Sequence, residues 1–187
     1  MDGNGRWANL RKRPRLFGHI KGARVAKKII THCVQKGLGT LTLYAFSSEN
    51  WLRPKQEVQF LMFLLQRYLK REVKTLLLQN VKFQVIGDRS KLSPEVLDVI
   101  EYTEKQTENC TGLKLIFAIS YGSRDEITSA VKTLVQRMTA GELKVDDVDE
   151  SMINQELWTS GIPDPDLIIR TSGEQRLSNF MLWQAAY

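Results

Sequence analysis

Stretches of strand composition alternate with helical stretches of ten or more residues along this chain, and that alternation restricts the fold more than any other feature. TLTLYAF (Thr40–Phe46) is rich in β-branched and aromatic residues and reads as a buried strand. VKFQVIG (Val81–Gly87), LKLIFAIS (Leu113–Ser120) and DLIIRT (Asp166–Thr171) read as three more. Phe17–Lys36 reads as a helix stopped by Gly37 and Gly39, and Pro54–Gln79 as a long helix with Pro54 in its first turn. Ser93 caps a helix that runs to Thr107, and Ser123–Glu126 matches a capping box opening one that runs to Ala140. Strands joined through helices imply right-handed crossovers. The expectation is an α/β fold, a mostly parallel central sheet with helices on both faces. No repeat, low-complexity run or linker interrupts the 187 residues, so one domain over 1–187 is expected.

In such sheets ligands bind at the carboxyl ends of the strands. The segments there are SSENWLRP, DRSK, YGSRDE and SGEQRLSN, each with an arginine and a Ser or Asn beside it. Arginine grips phosphate oxygens bidentately and stays charged at physiological pH. The chain opens on DGNGRW, where Gly3, Asn4 and Gly5 precede a short helix from Arg6. Glycines let backbone N–H groups approach a phosphate, and a helix N-terminus adds positive potential. A surface turn with a salt-bridged arginine is the plainer reading of the same residues. The motif is neither a Walker loop nor a dinucleotide fingerprint. Asp2 beside it suits Mg²⁺, which takes one or two carboxylates plus phosphate oxygens; capping the turn is its structural alternative. Arg170, Arg176 and Ser178 could surround a second phosphate, or pair with Glu174. Asn50, Trp51 and Arg53 share one loop, and a buried Asn there would need a reason.

The net charge of +6 is a mild attraction for anions, much of it in RKRPR (Arg11–Arg15). A nucleic-acid module lacks support, since no stacking platform or recognised binding motif accompanies that run. Cys33 and Cys110 stand far apart without metal-ligand spacing, which points to a reducing cytosol and no zinc site. The sequon at Asn109 has no secretion signal beside it. In VQFLMFLLQRYLK (Val58–Lys70) the helix is apolar nearly all round over six residues, wider than one core face needs. Burial explains this, and so does an apolar cavity for a long ligand.

Taken together, DGNGRWA, the Arg15-x-x-Gly-His19 spacing, TLYAFSSENWLRP and DLIIRTSGEQRLSNFMLWQ resemble the undecaprenyl diphosphate synthase family, the bacterial cis-prenyltransferases, from Asp2 to Tyr187. The DDxxD motif of trans-prenyl synthases is absent here, as it is from that family. The resemblance implies that isopentenyl diphosphate units are condensed onto farnesyl diphosphate with cis double bonds. The product would be a polyprenyl, undecaprenyl-type diphosphate, precursor of the lipid carrier for cell-wall peptidoglycan synthesis. It implies Mg²⁺ as cofactor, with Asp2 as metal ligand and central catalytic carboxylate. Gly3, Asn4, Gly5, Arg6, Arg15 and His19 would hold the allylic diphosphate with Trp7 beside them. Ser47, Ser48, Glu49, Asn50, Trp51 and Arg53 would surround the reacting ends, Asn50 assisting proton removal. Arg170, Arg176, Leu177 and Ser178 would take the isopentenyl diphosphate. An apolar tunnel between helices and sheet would receive the growing chain, with the helix from Val58, Ala45, Phe46, Leu113 and Phe117 as candidate walls.

The same likeness implies a cytoplasmic homodimer that meets the inner face of the membrane through its lipid product. The family carries a strand before DGNGRW and, just past the last residue here, a Glu that completes the metal site. Both are expected outside these 187 residues. Gln175 stands where some members carry His and is given no metal role. A non-catalytic partner subunit of the same fold is the alternative reading.

Overall fold

A computed structural model describes residues 2–186. Helix α1 (Asn4–Asn9) and helix α2 (Arg15–Gln35) lead into strand β1 (Thr40–Ser47). Helix α3 (Lys55–Leu78) follows, then β2 (Lys82–Ile86), α4 (Pro94–Gln106), β3 (Lys114–Tyr121), α5 (Ser123–Thr139) and α6 (Glu150–Glu156). The three strands form one parallel sheet in the order β1-β3-β2, with Leu43, Phe117 and Val85 level across it. Parallel neighbours cannot be joined by a hairpin, so each connection crosses over through a helix. That is the architecture the alternation predicts.

The central strand β3 is buried along almost its whole length, as a strand covered on both faces must be. On one face Phe83, Val85, Leu115, Phe117 and Ile119 pack against Leu69 and Leu76 of α3 and Ile100 of α4. On the other, Ile116, Ala118 and Tyr121 meet Trp158, Phe180 and Met181. Glu126 of α5 is fully buried on that second side. It accepts from the Tyr121 hydroxyl at 2.6 Å, Thr159 N–H at 3.2 Å and Gln184 Nε2 at 3.1 Å. Those three donors offset the cost of a buried carboxylate and bind the C-terminal segment to the sheet.

Most expected elements hold to within two residues. Three readings change. The Ser123–Glu126 pair is not a capping box, because Glu126 turns inward while Ser123 Oγ accepts from Leu182 N–H at 2.6 Å. Helix α6 was not expected. The fourth expected strand, 166–171, pairs with no described strand, and Leu167 and Ile169 are 74% and 78% exposed. Strand composition supplies only side chains; a ladder also needs a neighbour for its N–H and C=O groups.

Two glycines place α1. A Cβ on Gly18 would lie 2.0 Å from the Asn4 carbonyl oxygen, and one on Gly22 would lie 2.6 Å from the Asn4 side chain. Their absence lets α1 sit directly on α2, which fixes where Asp2 to Arg6 point.

Candidate active site

At the start of α1, Gly3 adopts φ +80°, and a Cβ there would lie 2.5 Å from Ser172 Oγ. This close approach joins the first residues to the 170–178 segment. Asp2 N–H donates to Thr171 Oγ1 at 3.2 Å, and that hydroxyl donates to the Asp2 carbonyl at 3.1 Å. The Asp2 carboxylate accepts from Gly3 N–H at 2.6 Å and Arg170 Nη2 at 2.9 Å, with Arg6 Nη2 at 3.7 Å. Partial burial pulls its pKa upward, yet the Arg170 bond, the Gly3 amide and Arg6 outweigh it and hold the group below its ordinary value. Arg170 Nη1 reaches Ser178 Oγ at 2.8 Å and the Arg176 carbonyl. Glu174 then bridges Arg6 at 2.8 Å and Arg176 at 3.0 Å. The two arginine clusters expected from the sequence thus form one continuous network.

A second cluster gathers on Glu57, at the start of α3. Its Oε1 lies 2.8 Å from Arg53 Nη1, 3.3 Å from His19 Nε2 and 4.0 Å from Arg15 Nε. Burial raises the Glu57 pKa, but Arg53 and Arg15 bring it below its ordinary value. The carboxylate is therefore ionised and only accepts, so His19 carries its proton on Nε2. Burial lowers the His19 pKa, with Arg53 and Arg15 adding to it, against the opposing pull of Glu57. The ring is neutral at pH 7.

Behind this cluster lies a cavity of about 130 Å³ between α2, α3 and the sheet. Asn4, His19, Asn50 and Arg53 line it as polar groups; Ala45, Phe46, Leu65, Tyr68 and Phe117 are among its apolar walls. Leu113 belongs instead to the core away from the cavity. The apolar width of α3 has a plain cause: Leu61, Met62, Leu64 and Leu65 face the cavity, while Phe63 is 54% exposed.

After β1, residues Ser48–Leu52 form a 3₁₀ turn. Asn50 Oδ1 accepts from Ser47 N–H at 3.3 Å, which answers the question raised by an Asn in this loop. Trp51 packs edge-on to Phe46 and donates from Nε1 to Ser120 Oγ at 2.9 Å. Glu49 accepts from Asn179 Nδ2 at 2.9 Å. Burial raises the Glu49 pKa, and the Asn179 bond with its neighbours brings it below its ordinary value. Asn179 also accepts from Ser123 and Arg124 backbone N–H groups, both at 2.9 Å. Ser48 and Asn179 side chains would both clash with a Cβ on Gly122, so three loops converge there.

The structure therefore brings Asp2, Gly3, Arg6, Arg170, Arg176 and Ser178 together, and sets Asn4, Gly5, Arg15, His19, Asn50 and Arg53 around the cavity mouth. Ser47, Ser48, Glu49 and Trp51 form the turn that joins them. Trp7 lies outside both groups, stacked on Phe17 at 6.1 Å, and Leu177 is 41% exposed. Arg89, in the loop after β2, pairs with Glu104 of α4 at 2.7 Å and takes no part. Glu57 and Asn179 escaped the sequence reading, because a carboxylate or amide gives no local signal of which distant partner it will meet; Glu174 pairs with Arg176, as the plainer reading of that segment had it, and with Arg6 as well. Among the described residues no three His, Cys, Asp or Glu side chains converge in a group that could hold a metal ion.

Comparison with known proteins shows the family. The profile of the prenyltransferase family described as undecaprenyl diphosphate synthase matches residues 1–187. An isoprenyl transferase of Geobacter sulfurreducens is 48% identical over 187 residues, all of this chain and 76% of that protein. The crystal structure of lavandulyl diphosphate synthase from Lavandula x intermedia, in complex with dimethylallyl diphosphate, superposes with a TM-score of 0.95. Its identity is 39%, covering 98% of this chain and 80% of that one. A probable undecaprenyl diphosphate synthase from Campylobacter jejuni gives a TM-score of 0.79 at 36% identity, covering 89% and 77%. With its matching motifs, its parallel sheet and its arginine-lined cavity mouth, this chain belongs to the undecaprenyl diphosphate synthase family of prenyltransferases.

Proposed function

We propose that this prenyltransferase elongates farnesyl diphosphate with isopentenyl diphosphate units in cis configuration, yielding an undecaprenyl-type diphosphate for the cell-wall lipid carrier. One observation carries the reading: two adjoining arginine clusters, one holding Asp2, flank the mouth of an apolar cavity. The dimethylallyl diphosphate bound by the Lavandula relative is an allylic diphosphate of the same chemistry.

In this reading Arg15, His19 and the Gly3–Arg6 turn hold the allylic diphosphate, while Arg170, Arg176 and Ser178 hold the isopentenyl diphosphate. Both arginine groups are already oriented by carboxylates, which reduces the reorganisation needed when a phosphate arrives. Asp2 would hold Mg²⁺ together with diphosphate oxygens and water; its carboxylate is ionised, as a ligand must be. Bound there, the ion would neutralise charge developing on the departing diphosphate. Asn50, held by Ser47 at the cavity wall, would assist proton removal from the isopentenyl end as its double bond attacks the allylic carbon, the allylic C–O bond breaks and the released diphosphate takes up the proton. The chain then enters the cavity, whose volume is below the roughly 300 Å³ of an ordinary ligand pocket, so α2 and α3 must separate as it grows. A homodimer working in the cytoplasm, releasing product at the inner face of the membrane, completes the proposal.

Incubating the full-length protein with farnesyl diphosphate, labelled isopentenyl diphosphate and Mg²⁺ tests it. Elongated product is expected, and its absence would overturn the reading. A non-catalytic partner subunit would give that negative result, yet Asp2, Arg170 and Arg176 are all retained and joined in one network.

A further inference from the structure

Between Gly3 and Ser48 the sequence holds ten Lys or Arg and no Asp or Glu; elsewhere acids outnumber bases 21 to 17. The positive charge of this protein is therefore a local property of α1 and α2. Three of the ten have carboxylate partners from other elements: Arg6 with Glu174, Arg15 with Glu57 and Lys27 with Glu72. Among the described residues, Arg11, Lys12, Arg13, Lys21, Arg24 and Lys28 have no carboxylate within 4.0 Å.

These cations surround an exposed aromatic pair. Trp7 and Phe17 stack with centroids 6.1 Å apart and planes 16° from parallel. Arg11 lies over Trp7 at 4.4 Å, and Arg13 and Lys21 lie over Phe17 at 5.8 and 5.4 Å. Leu10, 83% exposed, sits beside them, and Ile20 and Val25 extend the apolar strip along the outer face of α2. The opposite face of that helix, through Ala23 and Ala26, lines the cavity. No described helix is long and apolar enough to cross a membrane.

The geometry points to a docking surface for an anionic lipid bilayer, built from Leu10, Arg11, Arg13, Phe17, Lys21 and Arg24 with Trp7 at its centre. An interfacial anchor needs apolar and aromatic groups at headgroup depth, ringed by cations that meet anionic lipid. Bare leucine and valine beside the charges favour lipid over nucleic acid. The two rings stack on each other under cations and offer no open platform for a base. The surface stands on charge and exposure alone. Only its link to product release, through the helix shared with the cavity, rests on the proposed chain elongation.

The test uses full-length protein with vesicles of phosphatidylcholine, alone or mixed with phosphatidylglycerol. Co-sedimentation and tryptophan quenching by brominated acyl chains are the readouts. Binding and quenching are expected on the mixed vesicles and not on the neutral ones. Each neutralised charge should weaken partition about fivefold, so the R11Q/R13Q/R24Q triple variant should lose on the order of 100-fold. The R11K/R13K/R24K variant should retain binding, and L10S/F17S should lose the quenching. Equal partition onto neutral vesicles, or no loss in the triple variant, would overturn the proposal. So would RNA binding that the triple variant abolishes while vesicle binding stays, or a change of dimer to monomer in that variant. Vesicle binding requires no turnover, so a failed elongation assay would leave this result standing, and the reverse.

Discussion

Two regions of the site gather arginines around a carboxylate, and they do so by different means. At the cavity mouth, Glu57, Arg53, Arg15 and His19 come from helices or the turn between them, and Glu57 and His19 are largely buried. In the 170–178 region, Asp2, Arg170, Glu174 and Arg176 come from irregular backbone, with positive φ at Ser172, Gly173 and Ser178, and Arg176 is 70% exposed. Positive φ at non-glycine residues carries strain that surrounding contacts must hold. Buried ion pairs resist screening, whereas exposed ones contribute little to stability. Under the proposed function the difference separates the roles: the mouth would stabilise the fold as well as bind, while the 170–178 network would chiefly hold groups ready for ligand.

The largest effect that could break this contrast is on turnover. Asp2→Ala should lower kcat on the order of 10²- to 10³-fold, as loss of one electrostatic stabiliser does, with little change in melting temperature. A comparable loss of stability would show that Asp2 is structural and not catalytic. Gly18→Ala should act in the opposite sense. Its Cβ would meet the Asn4 carbonyl at 2.0 Å, and displacing α1 should cost about 2 kcal/mol by overpacking. Calorimetry should read a fall of roughly 4–8 °C for a chain of this size.

Glu57→Gln sharpens the comparison further. It leaves Arg53 and Arg15 facing a neutral amide beside the neutral His19 ring and should cost about 1 kcal/mol. Glu174→Gln, whose arginine partners are more than half exposed, should shift the melting point less.

A smaller effect concerns pH. The folded His19 has a pKa below its ordinary 6.5, so the unfolded chain binds its proton more readily. Stability from this residue is full above about 6.5 and falls as the pH drops below it through the folded value. Glu57 and Asp2, with pKa values below the ordinary 4.5 and 3.8, lose their contribution only as the pH falls beneath those values. Melting curves against pH should thus show a shallow upper decline that His19→Gln removes and a steeper acid one that it leaves.

Much of this was legible beforehand. The spacing of apolar runs identified the three paired strands and the long helices, and the arginines that DGNGRW and RTSGEQRLSN singled out lie in one network with Asp2 and Glu174. What escaped was pairwise and long-range. Residues 166–171 have strand composition without a described partner, a matter of neighbours and not of side chains. Glu126 matched a local capping pattern but is claimed by Tyr121, Thr159 and Gln184 across the fold. Arg89 looked like its counterparts, yet β2 lies at the far edge of the sheet and α4 supplies Glu104 to occupy it.

The central claim of the proposed function is that Arg15, at the cavity mouth, and Arg176, in the 170–178 segment, serve two different diphosphates. Steady-state kinetics of Arg15→Ala and Arg176→Ala, with farnesyl diphosphate and isopentenyl diphosphate varied separately, tests it most directly. Arg15→Ala should raise KM for the allylic substrate and Arg176→Ala that for isopentenyl diphosphate, each leaving the other within about twofold, whereas loss of one salt-bridged contact costs roughly 10-fold. Equal rises in both constants for either variant would contradict the account.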